Sequence, residues 1–452
     1  MDETRKMLVM MIIHRSMNLT MQEVTKRMLV MMIVDRAVNL AMEEVTRRMP
    51  RAPYLPHELI AWEILLRLPV KSLMRFKCVC KAWRDTVSGD TFSQAHTCRL
   101  RRQTMKPSSL LIAPYIRMVD RHGPFNDPVY TTPGLHLWEG NQRNDSVMTR
   151  FPADDCWMQT RHGFAHCDGL VMMPDAENTV RVLNPATRRS LTLPLSLNCA
   201  TCMCFLYEGQ VQNTFGFGRD PRSGAYKVAR FFHRDILDAP FPTCNLGMEV
   251  FTIGEDDCWR ETVAKPPCPF LVGRTATFFK GSLIWTVDYD SPPYGDTLYD
   301  DDGNEVMFVR FSLEDESFNS ITAPRWYLGS GYERFRLAEL HGELAMACSN
   351  KNSVVWMYDD VDSVNPPHSV EGLVLDFPYQ SRTRLVAAFD GGIVFQDESD
   401  SLRFLTGQGS IHMVGVNTLK FRDTHTDMLG ECLDITFHGF DVIPYIPTLV
   451  PI

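Results

Sequence analysis

No run of about 18 apolar residues occurs in the 452-residue chain, so no helix is expected to cross a membrane. The opening MDETRKMLVMMII holds an apolar run of only seven residues, Met7–Ile13, closed by His14 and Arg15. That is short for a secretory leader. The 13 cysteines are therefore expected as reduced thiols of the cytoplasm or the nucleus. Metal-ligand spacing is missing as well. Cys199, Cys202 and Cys204 form one tight group and Cys78 with Cys80 another, but no second pair lies at a matching distance. His162 and His166 are four apart without the glutamate that a metalloprotease helix places after the first histidine. No phosphate loop, Gly-x-Ser-x-Gly elbow or kinase signature is present. No metal, no cofactor and no catalytic group is expected.

Charge of one sign is scarce in each part of the chain. Residues 1–106 hold 19 Lys and Arg against 10 Asp and Glu, whereas the remainder holds 27 against 45. The net charge of −9 thus hides a basic front and an acidic remainder. An acidic bulk without a helix-turn-helix or a finger argues against a nucleic-acid binder. A basic front suits an acidic protein partner instead.

The most informative block is YLPHELIAWEILLRLPVKSLMRFKCVCKAWRDTVSGDTF, residues 54–92. Leu55 and Pro56 open it, and proline is well placed in the first turn of a helix. Leu59, Ile60, Ile64, Leu65 and Leu68 recur at helical spacing. Pro69 stops that helix, and Ser72 is expected to cap a second one carrying Leu73, Phe76, Val79 and Trp83. A unit of about forty residues is near the size at which a domain needs outside help. Apolar residues on more than one face then imply either a partner or packing on the rest of the chain.

The block resembles the F-box, the module that plugs a substrate receptor into a Skp–cullin ubiquitin ligase. The matching residues are Leu55, Pro56, Leu59, Glu63, Ile64, Leu65, Arg67, Leu68, Pro69, Val70, Lys71, Ser72, Leu73, Arg75, Phe76, Lys77, Cys78, Val79, Cys80, Lys81, Trp83 and Arg84. One departure is Thr91 after Asp90, where the family usually has proline. The likeness is greatest to the large plant group. It implies that Leu55, Pro56, Leu59, Ile64, Leu68, Pro69 and Leu73 face a Skp-type linker and that Trp83 belongs to the module's own core.

Ahead of this block, RKMLVMMIIHRSMNLTMQEVTKRM (residues 5–28) is followed by its near copy KRMLVMMIVDRAVNLAMEEVTRRM (residues 26–49). The 21-residue period is three heptads, so equivalent residues fall on nearly the same helical face. A Met-rich helical extension over residues 1–49 is expected, closed by Pro50. It serves as a partner-binding arm or is a duplication without a role of its own.

Past residue 107 the pattern becomes short apolar runs broken by Gly, Pro, Asp and Asn, an all-β reading. Units recur. Asp168-Gly169 precedes an apolar strand and Val180–Leu183; Lys280-Gly281 precedes Ser282–Val287 and Val306–Leu313. His341-Gly342 precedes Glu343–Ala347 and Val354–Tyr358, and Asp390-Gly391-Gly392 precedes Ile393–Phe395 and Leu402–Leu405. Such recurrence suggests β-propeller blades, with a β-sandwich as the alternative. The expected whole is an α+β multidomain chain: helical extension 1–49, all-α F-box 50–98 and all-β domain 107–446.

The segments CDGLV, VLNPATRRSLTLP, FGFGRDPRSGAYKV and EVFTIGEDDCWR also resemble the F-box-associated region of the same plant family. The resemblance implies a non-catalytic adaptor that binds a Skp-type linker, and a cullin through it, and carries an unknown protein substrate on its β domain. Trp326, Tyr327 and Tyr332 are the candidate target-binding residues, because aromatic side chains in loops are common interface anchors. Two rivals stand beside it. One is a propeller enzyme of the galactose-oxidase type, which would need copper ligands converging at its axis. The other is a degenerate F-box protein without a target.

Overall fold

In the computed structural model the chain comprises two compact units, Met1–Leu65 and Leu66–Ile452. The structure describes Arg36 and residues 56–102, 109–119, 128–132, 134–138, 148–150, 157–159, 163–175, 179–199, 213–234, 245–271, 274–288 and 306–322. It also describes 335–340, 342–348, 353–358, 368–375, 384–389, 392–396, 402–406, 411–414 and 439–452. The duplicated leader therefore lies outside the described residues, apart from the helical Arg36.

In the first unit, Pro56 precedes a helical turn His57–Leu59, and a π-helical turn spans Ile60–Ile64. In the second, three helices follow: α1 (Val70–Phe76), α2 (Lys81–Ser88) and α3 (Asp90–Arg102). Ser72 does not cap a helix as the sequence suggested. Pro69 is the N-cap of α1, and its carbonyl accepts from Ser72 N at 2.9 Å. The expected single helix from Leu73 to Trp83 is two, because Cys80 is extended (φ −155°, ψ 164°) and caps α2. Its sulfur accepts from Trp83 N at 3.4 Å.

Among the described residues the β region forms six antiparallel sheets. The first combines β1 (Ser109–Val119), β2 (Pro128–Thr132), β3 (Gly134–Trp138), β4 (Met148–Arg150) and β5 (Trp157–Gln159) with a strand from far downstream, described below. The second holds β6 (Ala165–Cys167), β7 (Leu170–Pro174), β8 (Val180–Asn184) and β9 (Arg189–Thr192). The third holds β10 (Thr214–Arg219), β11 (Tyr226–Arg234), β12 (Asn245–Thr252) and β13 (Arg260–Glu261). The fourth holds β14 (Thr277–Phe279), β15 (Ser282–Thr286), β16 (Val306–Ser312) and β17 (Phe318–Thr322). The fifth runs β18 (Phe335–Leu340), β19 (Glu343–Cys348), β20 (Ser353–Tyr358) and β21 (His368–Leu375). The sixth runs β22 (Arg384–Phe389), β23 (Gly392–Gln396), β24 (Leu402–Thr406) and β25 (Ile411–Val414). In each of these five sheets the strand order follows the chain order.

The last strand, β26 (Gly439–Tyr445), pairs antiparallel with β1 over seven residues, from Ser109 opposite Tyr445 to Tyr115 opposite Gly439. The leading strands β6, β10, β14, β18, β22 and β26 touch in that succession. Ile443 and Tyr445 of β26 then pack with Leu111, Leu135, Phe164, Val171 and Leu183, which joins the first sheet to the second. The succession closes on itself, and the result is propeller-like rather than a two-layer sandwich.

Burial explains why the strands read as apolar runs and not as clean alternation. Phe215, Phe217, Val228 and Phe251 of the third sheet bury against Ala165, Leu170 and Val182 of the second. Ala229, Phe231, Met248 and Val250, on the opposite face of the same sheet, bury against Leu283, Trp285, Val309 and Phe311 of the fourth. Both faces of a blade are interior, as in a sheet covered on both sides. The Asp168-Gly169 and Lys280-Gly281 turns have positive φ at both residues (50° and 77°; 43° and 81°), the geometry of the tightest hairpin loops. Gly169 is fixed twice over, since a Cβ there would meet the Ile446 carbonyl at 2.5 Å.

An aromatic column runs through the interface between the third and fourth sheets. Phe231 and Phe270 are 4.6 Å apart, Phe270 and Trp285 are 5.0 Å apart and nearly parallel, and Phe311 lies 6.4 Å from Trp285. Trp285→Ala should destabilise the β domain by about 3–5 kcal/mol, the usual cost of truncating a buried large aromatic. Val263→Ser, at a fully exposed position, should stay within about 0.5 kcal/mol. Urea unfolding of the two variants checks both values.

Candidate functional site

The described part of the first unit is short and presents large apolar side chains outward. Ala61 and Leu65, four apart, are buried at 4% and 0% exposure. Leu59, Trp62 and Ile64 point elsewhere, at 47%, 41% and 48%. Helical spacing alone had grouped Leu59, Ile64 and Leu65 on one face. The π-helical turn Ile60–Ile64 alters the angular steps and separates Leu65 from the other two. Burying an exposed Leu, Ile or Trp is worth about 1.5–3 kcal/mol each. Pro56 is exposed beside this group, and Leu55 lies outside the described residues.

In the second unit Leu68 is half-buried and Pro69 exposed. Leu73, expected on the same partner-facing set, is fully buried, as is Val70 one turn earlier. Val70 and Leu73 are the inward side of α1, so Leu73 offers no surface in this conformation. Trp83 is half-buried against Phe76 at 5.3 Å, with the rings tilted. Val79 is exposed at 61%, in the turn between α1 and α2.

Helix α3 bonds the backbone of the segment Leu66–Leu68 that opens the second unit. Arg99 Nη1 donates to the Leu66 carbonyl at 2.9 Å, and His96 Nε2 bonds the Leu68 carbonyl at 3.0 Å. His96 is buried at 2%, and among the described residues its Nδ1 has no hydrogen-bond partner. Burial lowers the imidazole's pKa from the usual 6.5; the Leu68 carbonyl opposes this and the Arg99 charge adds to it. The ring is therefore held neutral, with its one proton on the nitrogen facing Leu68.

A second group of side chains, unannounced by the sequence, ties α3 to the β region. Arg101 Nε donates to Asp168 Oδ1 at 2.9 Å and its Nη2 to Oδ2. Tyr226 OH donates to the same Asp168 oxygen at 3.0 Å. Burial alone would lower the Arg101 pKa, but the hydrogen bond and charge of Asp168 outweigh it and raise the net value. The Tyr226 hydroxyl is raised by burial first and by Asp168 second. Asp168 was legible only as half of a turn, since its partners lie 67 and 58 residues away in sequence.

Trp326, Tyr327 and Tyr332 lie outside the described residues, as do Cys202, Cys204 and His162. Among the described residues no group of three or more His, Cys, Asp or Glu could hold a metal ion. Among the same residues no helix is long and apolar enough to cross a membrane.

The geometry defines a class: a small helical module with outward apolar residues, joined to a propeller-like β domain. Comparison with known families makes this specific. The F-box domain model matches residues 54–94, and the F-box associated beta propeller domain model matches residues 137–365, half of the chain. The chain belongs to the plant F-box proteins that carry an F-box-associated β-propeller domain.

An Arabidopsis thaliana F-box protein is 27% identical over 323 residues, covering 68% of this chain and 66% of that relative. An Arabidopsis F-box/kelch-repeat protein is 30% identical over 233 residues, covering 49% of this chain and 93% of the relative. Another is 25% identical, covering 70% of this chain and 79% of the relative. The solved structure of YCF48 bound to D1 peptide is 8% identical over 68% of this chain and 83% of its own, with a TM-score of 0.32.

His96 gives a pH prediction. The native state resists protonating this ring, whereas the unfolded chain takes up the proton as pH falls through 6.5. Its contribution to stability is thus complete above 6.5 and is lost progressively below. The urea midpoint of the F-box helices should fall between pH 7.5 and 5.5. His96→Gln, which can still donate to Leu68, should remove the part of the slope due to this ring.

Proposed function

We propose that this chain is the substrate-receptor subunit of a Skp–cullin–F-box ubiquitin ligase. The F-box and its associated domain support an adaptor role of this kind in general. The observation that carries the finer reading is the outward display of Leu59 and Ile64, 47% and 48% exposed, on so small a module. Leu55, Pro56, Leu59, Ile64, Leu68 and Pro69 would meet the Skp-type linker. Leu73 would support that face from inside. The module is assigned to residues 50–98 and the receptor to 107–446, with the extension 1–49 outside both.

The mechanism is proximity. One part of the chain holds the linker and, through it, a cullin; the other holds a target protein. Target lysines are then presented to a ubiquitin-charged conjugating enzyme at high effective concentration. The catalytic groups belong to the other subunits and no side chain here reacts. Trp326, Tyr327 and Tyr332 are assigned to the target-binding face, and the cytoplasm or the nucleus is the compartment.

The double variant Leu59→Ala/Ile64→Ala removes exposed side chains and should leave the fold intact. Its affinity for a purified Skp-type linker should fall at least about tenfold, ~1.4 kcal/mol. Leu55→Ala/Pro56→Ala should act in the same direction. Retention of full affinity by both variants, with unchanged circular dichroism, would overturn the reading.

A further inference from the structure

Helix α3 rests on two pieces of the β region that come from opposite ends of it. The first is the Asp168-Gly169 turn between β6 and β7, whose carboxylate takes the Arg101 guanidinium. The second is the segment that follows β26, residues 446–452. Ser93 of α3, buried at 4%, donates its hydroxyl to the Leu449 carbonyl at 2.6 Å.

The two pieces are themselves joined. Thr448 Oγ1 donates to the Asp168 carbonyl at 2.7 Å. Asn184, fully buried at the end of β8, donates from Nδ2 to the carbonyls of Val450 at 2.9 Å and Thr448 at 3.2 Å. The same Asn184 accepts, through Oδ1, the amides of Ala186 and Thr187, so its orientation is fixed from both ends. Thr448, Leu449 and Val450 are 3–5% exposed, and Val450 joins the apolar cluster of Ala165, Cys167 and Leu170. Gly169 passes so close to Ile446 and Thr448 that no side chain would fit.

These contacts form one chain of cause. The strap 446–452 directly follows β26, which pairs with β1. The socket for α3 is complete only when the strap is in place. We propose that mounting of helix α3 is coupled to closure of the β domain through the strap 446–452, so that an unclosed β domain does not hold α3 in a fixed orientation. The coupling is an equilibrium property and therefore reciprocal: loosening α3 must loosen the strap and β26, and loosening the strap must loosen α3. The proposal deepens the adaptor reading, because proximity catalysis needs a fixed spacing between linker and target, but its test does not depend on that reading.

The test is hydrogen exchange on the full chain, read at peptides covering 90–102 and 439–452. Arg101→Gln removes a contact of α3 that the strap does not share, and Asn184→Ala a contact of the strap that α3 does not share. Asn184 is fully buried and Arg101 is held by two hydrogen bonds to Asp168, so opening should become about tenfold or more frequent. Under the proposal each variant raises exchange in both peptides, while exchange in β11 and β16 stays unchanged. If each variant raises exchange only in its own peptide, the coupling is absent and the proposal is overturned. Should Asn184→Ala unfold the second sheet, seen as faster exchange in β8, Thr448→Val replaces it. That variant keeps the strap's apolar packing and removes its hydroxyl bond to Asp168. Linker affinity, measured in parallel, should not change in any of these variants. A loss there with intact α3 exchange would count against the linker face of the adaptor reading and leave the coupling standing.

Discussion

The antiparallel pairing of β26 with β1 is the constraint on which the rest of the β region depends. A blade with two apolar faces has no stable existence alone. The third sheet puts Phe215 and Phe217 into one interface and Phe231 and Met248 into the next. Every blade therefore needs a neighbour on each side, and a row of such blades satisfies its two ends only by meeting itself. The seven residue pairs between Ser109 and Tyr445 make that meeting, and Ile443 and Tyr445 complete the interface with the second sheet.

Polar groups reinforce the interfaces that apolar packing creates. Lys227 of β11 is buried and reaches across to the next blade, donating to the Leu313 carbonyl at 2.6 Å and pairing with Glu316 at 3.4 Å. It also pairs with Asp220 of its own sheet at 3.0 Å. Arg260 takes both oxygens of Glu316 and, more than burial opposes, holds that carboxyl below the usual range. Within the third sheet Arg230 and Glu249 stand opposite each other in register, 2.6 Å apart and 1% exposed, with Ser196 and Asn198 completing the carboxylate's partners. Removing one member of such a buried pair strands the other, which is why these charges come as complete sets.

Much of this was legible in the sequence, for local reasons. A two-residue turn with two positive φ values demands glycine and a small or flexible partner. Asp168-Gly169 and Lys280-Gly281 therefore marked their hairpins before any coordinates. The F-box block was legible because its matching residues are dense within one segment. What local pattern could not carry was contact across long stretches of chain. Ser93 and Leu449 are 356 residues apart, and Asp168 and Thr448 280 apart. Nothing in the spacing of either member signals the other. The burial of Leu73 escaped for a related reason: helical periodicity names a face but does not say which side the rest of the chain will cover.

The position of β26 also sets an order of events at the ribosome. Some 320 residues separate the end of β1, Val119, from the start of β26, Gly439. At about 5–20 residues per second that interval lasts tens of seconds. Throughout it the stretch of β1 from Ser109 to Tyr115 lacks its β26 partner, although β2 and β3, made soon after, pair with β1 as well. Nascent chains of this protein thus carry an open sheet edge for most of their synthesis, a state in which edge-to-edge pairing with other chains is the main hazard. The interval before β26 can pair lengthens with every residue inserted between the first strand and the last.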